Sequence, residues 1–538
     1  AEMLSFGTNI SASKLIKHIF FPSVTLNDLN TNLPNVYVGL FVLLMAVLFF
    51  ASRKIKFKEK LLSLAVLMVF IGSFYFITPN LMWHGFVYPV CFSFRFSFIF
   101  SFFIILFAFR FMENCEVSDK KLALYGLLAA NTITLFALAY ANIRTMYMTD
   151  NTFKTFYNDV SPSVESIKEV EKDSFYRVEK DFNYSHNDGM TFGYNGLEHY
   201  SSGEKLATRR LPRIMGYTVR EALGMYNTGS FLGADSFLGV KYFMSYGQGK
   251  KGTEKINECN GISTYKNPYA LPLAFESSQE LLELPISNLH TADAAGEIMS
   301  VALEEEYSFT NLQDTVEQEL VNVEKIANDD GEQYSIISAQ EPSYINYTFK
   351  AQQAGNVYLY IDTSELPKVE VTFRDKNLGE YLIADNFGIM PLGTLEEDET
   401  ASVSIKMYSD FKASSVQFFY DDNGELERMS QQIASQQVSV DNFKSSRFEV
   451  TGEILKENSG LFFLVPNQEG WVIKSDGKNV EYKTVLDTFI YLPMEKGKFA
   501  ISVRFVPPGL YQGAAITLIG ILQLASVLVL KKKSFKIE

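Results

Sequence analysis

The sequence has little cysteine: three residues in 538, too few for a disulfide framework. No cluster of Cys and His has zinc-ligand spacing. Basic residues are outnumbered, 48 Lys and Arg against 62 Asp and Glu, for a formal net charge of -14. A protein that wraps a polyanion would be basic overall, so no nucleic-acid partner is expected. Four motifs are missing: the G-x-x-x-x-G-K phosphate loop, a dinucleotide fingerprint on a strand–helix turn, HExxH, and the GxSxG elbow. Soluble nucleotide-dependent and hydrolase chemistry therefore lacks support. The chain opens AEMLSFG, without an initiator Met.

What is present is long apolar runs. The length exceeds what one core organises, so two or more units are expected. Hydrophobic content is 47% and mean hydropathy is near zero. That average hides two populations. Residues 36–141 and 513–530 are strongly apolar, whereas 143–511 have ordinary soluble composition. Five stretches read as membrane spans: Val36–Ala51, Leu61–Ile77, Phe92–Phe109, Leu122–Ala141 and Gly513–Leu530. Basic segments at Arg53–Lys60, at Lys120 and Lys121, and from Lys531 all fall on one side of that plan. By the positive-inside rule that side is cytoplasmic. The expected fold is an α-helical transmembrane bundle plus a large extracytoplasmic α/β and β-sandwich region, closed by a C-terminal transmembrane helix. The expected parts are an outer segment (1–35), four transmembrane helices (36–142), an extracytoplasmic α/β domain (143–286), a β-sandwich-like domain (287–440), a second β-rich module (441–511), the last transmembrane helix (512–530) and a cytoplasmic basic tail (531–538). On this plan Cys91 lies near the outer membrane face, Cys115 inside, and Cys259 alone in the outer domain. That usage suits a bacterium that does not rely on disulfides.

Arg95 and Arg110 frame the Phe-rich third span. Fifteen residues on one helix place them roughly 22 Å apart, inside a hydrocarbon core about 30 Å thick. Snorkelling anchors explain both. Arg95 admits a second reading. At the outer face, after Pro89, its guanidinium suits a bidentate contact to a lipid-linked phosphate.

In the outer region, FLGVKYFMSY (237–246) is nearly continuous in apolar residues, the mark of a strand buried on both faces. Residues 163–173 have helical spacing. From about 287 the pattern changes to alternating strands, at 356–363, 368–374, 401–408 and 415–422, with polar turns of sandwich spacing. A helix over 425–437 interrupts them, and SDGK at 475–478 is a hairpin turn signal.

Two constellations stand out. The stretch 182–202 holds Asn183, His186, Asn187, Asp188, Tyr194, Asn195, His199 and Tyr200. Amides, carboxylates and aromatics together suit a sugar. The glycines among them equally suggest turns whose side chains satisfy their own backbone. Lys205, Arg209, Arg210, Arg213 and Arg220 form a basic cluster in an acidic protein. It reads either as a helix face paired with Glu204 and Glu221 or as a patch that steers an anionic glycopolymer. Residues 79–94 contain no Asp or Glu, although sugar transfer to a hydroxyl generally needs a carboxylate base.

LPNVYVGLFVLL (33–44), WHGFVYPVCFSFRFSFIFSF (83–102), FYRVEKDFNYSHNDGMTFGYNGLEHYSS (175–202), LGVKYFMS (238–245), YKNPYALPLAF (265–275) and GWVIKSDGKNVEY (470–482) occur in an order that resembles the YfhO family of bacterial membrane proteins. The resemblance implies a multi-span GT-C-type glycosyltransferase. Its donor would be a polyprenyl-phosphate-linked sugar, and its acceptor teichoic acid or a related envelope glycopolymer outside the cell. Family members have more N-terminal spans, with the catalytic acids in an early outer loop. The chain is accordingly expected to be the C-terminal portion of a longer enzyme, without the catalytic acid. Arg95 and His84 carry forward as donor-phosphate candidates. His186, Asn187, Asp188, Tyr194, His199, Arg209, Arg210 and Arg213 are the candidates for sugar or acceptor contact. A divalent metal is left open, with no site visible in the sequence. The competing readings are a non-catalytic, membrane-anchored glycan-binding envelope protein and, after it, a transporter, whose mid-membrane ionisable sites the bland span centres lack.

Overall fold

The computed structural model describes residues 7–20, 33–89, 93–114, 121–146, 150–172, 174–201, 203, 205, 207–220, 223–226, 230–289, 291–328 and 331–534. The chain divides into two compact units, Ala1–Lys154 and Thr155–Glu538.

The first unit is helical. Its main helices are Leu40–Ala51, Phe57–Tyr75, Ser97–Glu113 and Lys121–Met146. Each coincides with one of the expected apolar stretches, with shifted ends. The first begins at Leu40 rather than Val36 because Gly39 has φ 93°, outside the helical region. The Phe41 amide donates to Asn131 Oδ1 at 3.3 Å, which caps the helix start. A Cβ on Gly39 would meet that same oxygen at 2.5 Å.

Phenylalanines fill the interior of this unit. Phe74 stacks on Phe96 at 5.2 Å, Phe96 on Trp83 at 4.9 Å, and Trp83 on Phe70 at 5.5 Å. The third helix starts at Ser97, so Arg95 sits in the turn before it rather than on a helix shared with Arg110. The 22 Å helical spacing expected from sequence therefore does not apply. Arg110 bonds to Glu59 at 2.9 Å and to Glu113 at 2.5 Å, so it is paired as well as placed at the helix end.

The second unit is β-rich and ends in a helix, Leu510–Ser534. Among the described residues, Leu510–Leu528 is the one helical segment long and apolar enough to cross a membrane by length and composition; Leu40–Ala51 and Tyr125–Tyr140 are shorter apolar helices.

Three layers of sheet precede that end. The first has strand order Arg177–Lys180, Val240–Ser245, Ile262–Lys266, Glu254–Cys259. Its first pair is parallel and the other two are antiparallel. Val240–Ser245 is an interior strand of this sheet, and each of its residues is buried or half-buried, in keeping with the burial on both faces that its apolar run predicts.

The second layer is a sandwich. A five-stranded sheet containing Ser343–Lys350 and Thr400–Met407 shares one core with a four-stranded sheet containing Gly355–Asp362 and Ser415–Asp421. The third layer contains Arg447–Ile454, Gly497–Phe505 and Trp471–Ser475 in one sheet. Its companion sheet contains Phe489–Pro493, Ser459–Pro466 and Ala274–Ser278.

Ala274–Ser278 therefore pairs with Ser459–Pro466, about 185 residues later in the chain, and the two regions share a core. The helix over 425–437 is observed as Asn423–Ala434, with Asp422 accepting the Glu425 amide as its N-cap. At SDGK, Ser475 faces Lys478, and Asp476 and Gly477 both have positive φ, the geometry of a two-residue primed turn.

Candidate functional site

The site begins with a four-residue strand, Arg177–Lys180, all of it buried although three of its residues are charged. Period-two geometry sends Arg177 and Glu179 to one face, Val178 and Lys180 to the other. On the second face Lys180 Nζ pairs with Asp188 Oδ2 at 2.9 Å and donates to the Phe182 carbonyl at 2.7 Å. Asp188 also accepts the Tyr184 and Ser185 amides, both at 2.9 Å. It is thus a buried loop-ordering carboxylate.

Much of the polar-aromatic stretch is spent in the same way. Asn187 donates to the Tyr200 carbonyl at 3.3 Å and accepts the Tyr200 amide at 3.0 Å. Asn183 and His186 both bond Glu198 Oε1, at 2.6 and 2.9 Å. Tyr194 packs beside Gly189 and Gly196, and burial raises its hydroxyl pKa far above the usual tyrosine value.

The second half of the stretch behaves differently. Asn195, Gly196, Leu197 and His199 line a cavity of about 320 Å³. Arg177 and Phe175 contribute from the sheet, and Thr208 and Arg209 from the helix Ala207–Ile214. Tyr217 and Tyr226 add a wall near the strands Thr218–Arg220 and Leu223–Met225, which His199–Tyr200 joins. Phe448, Trp471 and Phe489 close it from the third layer.

Each polar end of an aromatic wall is tied away from the void. Tyr217 and Tyr226 each donate to Asp235 at 2.8 Å. Asp235 also takes Lys250 at 2.6 Å and Ser230 at 2.7 Å. The Trp471 indole N–H donates to the Pro466 carbonyl at 3.1 Å. The rings therefore line the cavity as carbon surface, the kind on which a sugar's C–H face stacks.

The charge pattern is one-sided. Arg177, His199 and Arg209 line the cavity, and among the described lining residues none is acidic. Arg177 donates to the carbonyls of Leu238 and, at 2.8 Å, Leu464, and its guanidinium lies 4.9 Å from the Phe175 ring centroid. Among the described residues no carboxylate is within ion-pair reach of it. Burial lowers its pKa to about 10, which leaves it protonated at neutral pH.

Glu179 accepts the Leu197 and Glu198 amides, and a Cβ on Gly196 would meet it at 3.1 Å. Burial pushes Glu179 up to about 8. His199 Nδ1 donates to the Leu197 carbonyl at 2.7 Å, and Arg209 to the Ser201 carbonyl at 3.3 Å.

The remaining basic candidates lie outside the cavity. Arg210 pairs with Asp487 at 3.1 Å, Arg220 with Asp385 at 3.3 Å, and Arg213 stacks over Phe387 at 5.4 Å. The expected partners Glu204 and Glu221 fall outside the described residues, as do Cys91 and Cys115. In the helical unit His84 Nε2 donates to the Ser93 carbonyl at 2.8 Å, fixing the approach to the exposed Arg95. Among the described residues no group of three or more His, Cys, Asp or Glu is arranged to hold a metal ion.

Sequence reasoning missed Arg177, Tyr217, Tyr226 and Trp471. A signal for Arg177 existed. Its neighbouring strand 240–245 reads as covered on both faces, so a strand beside it is covered as well.

The chain combines a helical unit, a β-rich unit with an aromatic-walled cavity, and a terminal apolar helix long enough to cross a membrane. Residues 3–155 and 140–517 match the profile of the family described as bacterial membrane protein YfhO, and the chain belongs to that family. No curated protein matches the sequence significantly.

Solved structures give partial likenesses. Arabinofuranosyltransferase AftD from mycobacteria is 15% identical over 30% of this chain and 13% of its own, with a TM-score of 0.14. A β-D-glucuronidase from Dictyoglomus thermophilum is 8% identical over 37% of this chain and 42% of its own, with a TM-score of 0.14. A family 29 carbohydrate-binding module from Piromyces equi is 12% identical over 22% of this chain and 78% of its own, with a TM-score of 0.10. The chain thus spans less than half the length of the first two.

Proposed function

We propose that the chain is part of a GT-C-type membrane glycosyltransferase that decorates teichoic acid or a related envelope glycopolymer from a polyprenyl-phosphate-linked sugar. Membership of the YfhO family carries this reading. In it the helical unit and the Leu510–Ser534 helix sit in the bilayer, with the basic segments cytoplasmic and the β-rich unit outside. Arg95, in a turn fixed by His84, is the donor-phosphate contact. The aromatic-walled cavity is the glycan-handling site, reached by His199 and Arg209.

The cavity also favours a second reading, a glycan-binding envelope protein that transfers nothing. Sugar analysis of teichoic acid from a deletion strain separates the two. Loss of the decoration supports transfer. Unaltered decoration with weakened envelope adhesion supports binding alone and removes the transferase reading. Arg95→Leu in the transferase is expected to weaken donor use while leaving membrane insertion intact. Unchanged donor kinetics would remove Arg95 from the site.

A further inference from the structure

We propose that the cavity of the β-rich unit recognises a sugar ring bearing an anionic group, phosphate or carboxylate, with Arg177 as its buried anchor. This deepens the glycan-handling reading and rests on it.

The argument starts from an imbalance. The chain carries 62 acidic residues against 48 basic ones. Here the described lining has Arg177, Arg209 and His199 and no acid.

Arg177 is 9% exposed. Burying a guanidinium is costly unless an anion accompanies it. Two backbone carbonyls and one aromatic face accept part of its charge. They supply dipoles and a quadrupole, not a counter-charge. Glu179 shares its face of the strand and its charge favours the protonated guanidinium, but it forms no ion pair with Arg177, and its Oε1 is taken by the Leu197 and Glu198 amides. The missing negative charge is therefore left for a ligand. Arginine's planar fork matches phosphate and carboxylate oxygens equally.

The walls specify the rest of that ligand. Trp471 and the tied tyrosines Tyr217 and Tyr226 offer flat carbon faces. Asn195, Thr208 and His199 add polar atoms to the lining, each also bonded to a backbone carbonyl, of Tyr176, Lys205 and Leu197 respectively. About 320 Å³ is the scale of one or two sugar rings. A free anion would leave the aromatic walls unused, and a neutral sugar would leave Arg177 without its counter-charge.

Tryptophan fluorescence tests this. The chain has two tryptophans, Trp83 in the helical unit and Trp471 in the cavity wall. In the detergent-solubilised full chain carrying Trp83→Phe, Trp471 is the sole reporter. The probes are glucose 6-phosphate, a glucuronate-containing disaccharide, maltose and inorganic phosphate. One or both charged sugars are expected to give saturable quenching, at least about tenfold tighter than maltose or phosphate. Whichever binds names the anion. Arg177→Met is expected to abolish that preference. Arg209→Gln, at the rim and less exposed to misfolding, is expected to weaken the charged sugars severalfold and leave maltose unchanged.

Equal affinity for maltose overturns the proposal, as does equal affinity for inorganic phosphate. So does an absence of saturable quenching by every probe, or unchanged affinity for the charged sugars in a folded Arg209→Gln chain. Charged-sugar binding together with unaltered teichoic-acid decoration in the deletion strain would overturn the transferase reading and support this one.

Discussion

The helical unit and the β-rich unit both concentrate aromatic rings, with opposite results. In the helical unit the rings close on one another: Phe70, Phe74, Trp83 and Phe96 stack at 4.9 to 5.5 Å and leave Phe74 fully buried. In the β-rich unit Tyr217, Tyr226 and Trp471 stand around a void. Polar atoms mark part of the difference, although Trp83 too is held, by Ser73 Oγ at 3.0 Å, and phenylalanines such as Phe448 also line the void. Phenylalanine has no polar side-chain atom, so dispersion and apolar burial draw the rings together. Each tyrosine hydroxyl and the indole N–H is held by a fixed acceptor, Asp235 or the Pro466 carbonyl, which keeps the ring on its wall. The arginines follow the same division. Arg110 has two carboxylates, whereas Arg177 has carbonyls and a ring.

That contrast can be broken most severely at the buried pair behind the cavity. Asp188→Ala strands Lys180, 1% exposed, without its counter-charge. The expected loss is about 3–5 kcal/mol, read as a lower midpoint in denaturant melts of the β-rich unit's CD signal. A midpoint shift near zero would mean that the pair is dispensable.

Phe74→Ala comes next, at about 3–5 kcal/mol if the helical unit cannot collapse around the lost ring. Trp471→Ala already faces a void and is expected to cost clearly less stability, while removing the fluorescence response to ligand. Equal thermal losses in the two variants would erase the distinction between filled core and open wall.

The third prediction is a pH slope. Glu179 has an ordinary unfolded value of 4.5 and a folded value raised to about 8. The folded state holds that proton more tightly. The associated stability is therefore fully present below 4.5 and is lost as pH rises through 8. Thermal midpoints across that range are expected to fall with pH, and Glu179→Gln to flatten the upper part. Asp421, raised by burial from 3.8 to about 6, leaves a slope lower in the range. A wild-type-like slope in Glu179→Gln would assign the titration elsewhere.

Arg110→Ala is the smallest effect. Its ion pairs are exposed and screened. Its thermal midpoint is expected to stay close to that of the parent, against the large drop from Asp188→Ala.

Local elements were legible in the residues. The alternation over 356–363 and 401–408 is observed as strands Gly355–Asp362 and Thr400–Met407. SDGK turns as its Asp and Gly require, since both central residues take positive φ. Each apolar stretch read as a span is helical over most of its described length. The first helix starts later than the apolar run because Gly39 takes φ 93°, and Asn131, ninety residues away, caps it there.

The candidate site was half legible. His199 and Arg209 reach the cavity. Asn187, Asp188 and His186 had the right chemistry for a sugar, but they bond to their own surroundings. Composition cannot separate a polar group facing a ligand from one facing its own backbone, because both need the same atoms.

The sequence by itself determined the apolar helices, the strand periodicity, the turns and the family. Each of these is written within a few residues or in the order of motifs. Only the tertiary structure decided that Ala274–Ser278 pairs with Ser459–Pro466 and that Arg177 is buried beneath Trp471's layer without an acid. Strand pairing and burial depend on which distant residues arrive opposite one another. The charge on Arg177 reads as surface until the chain folds over it.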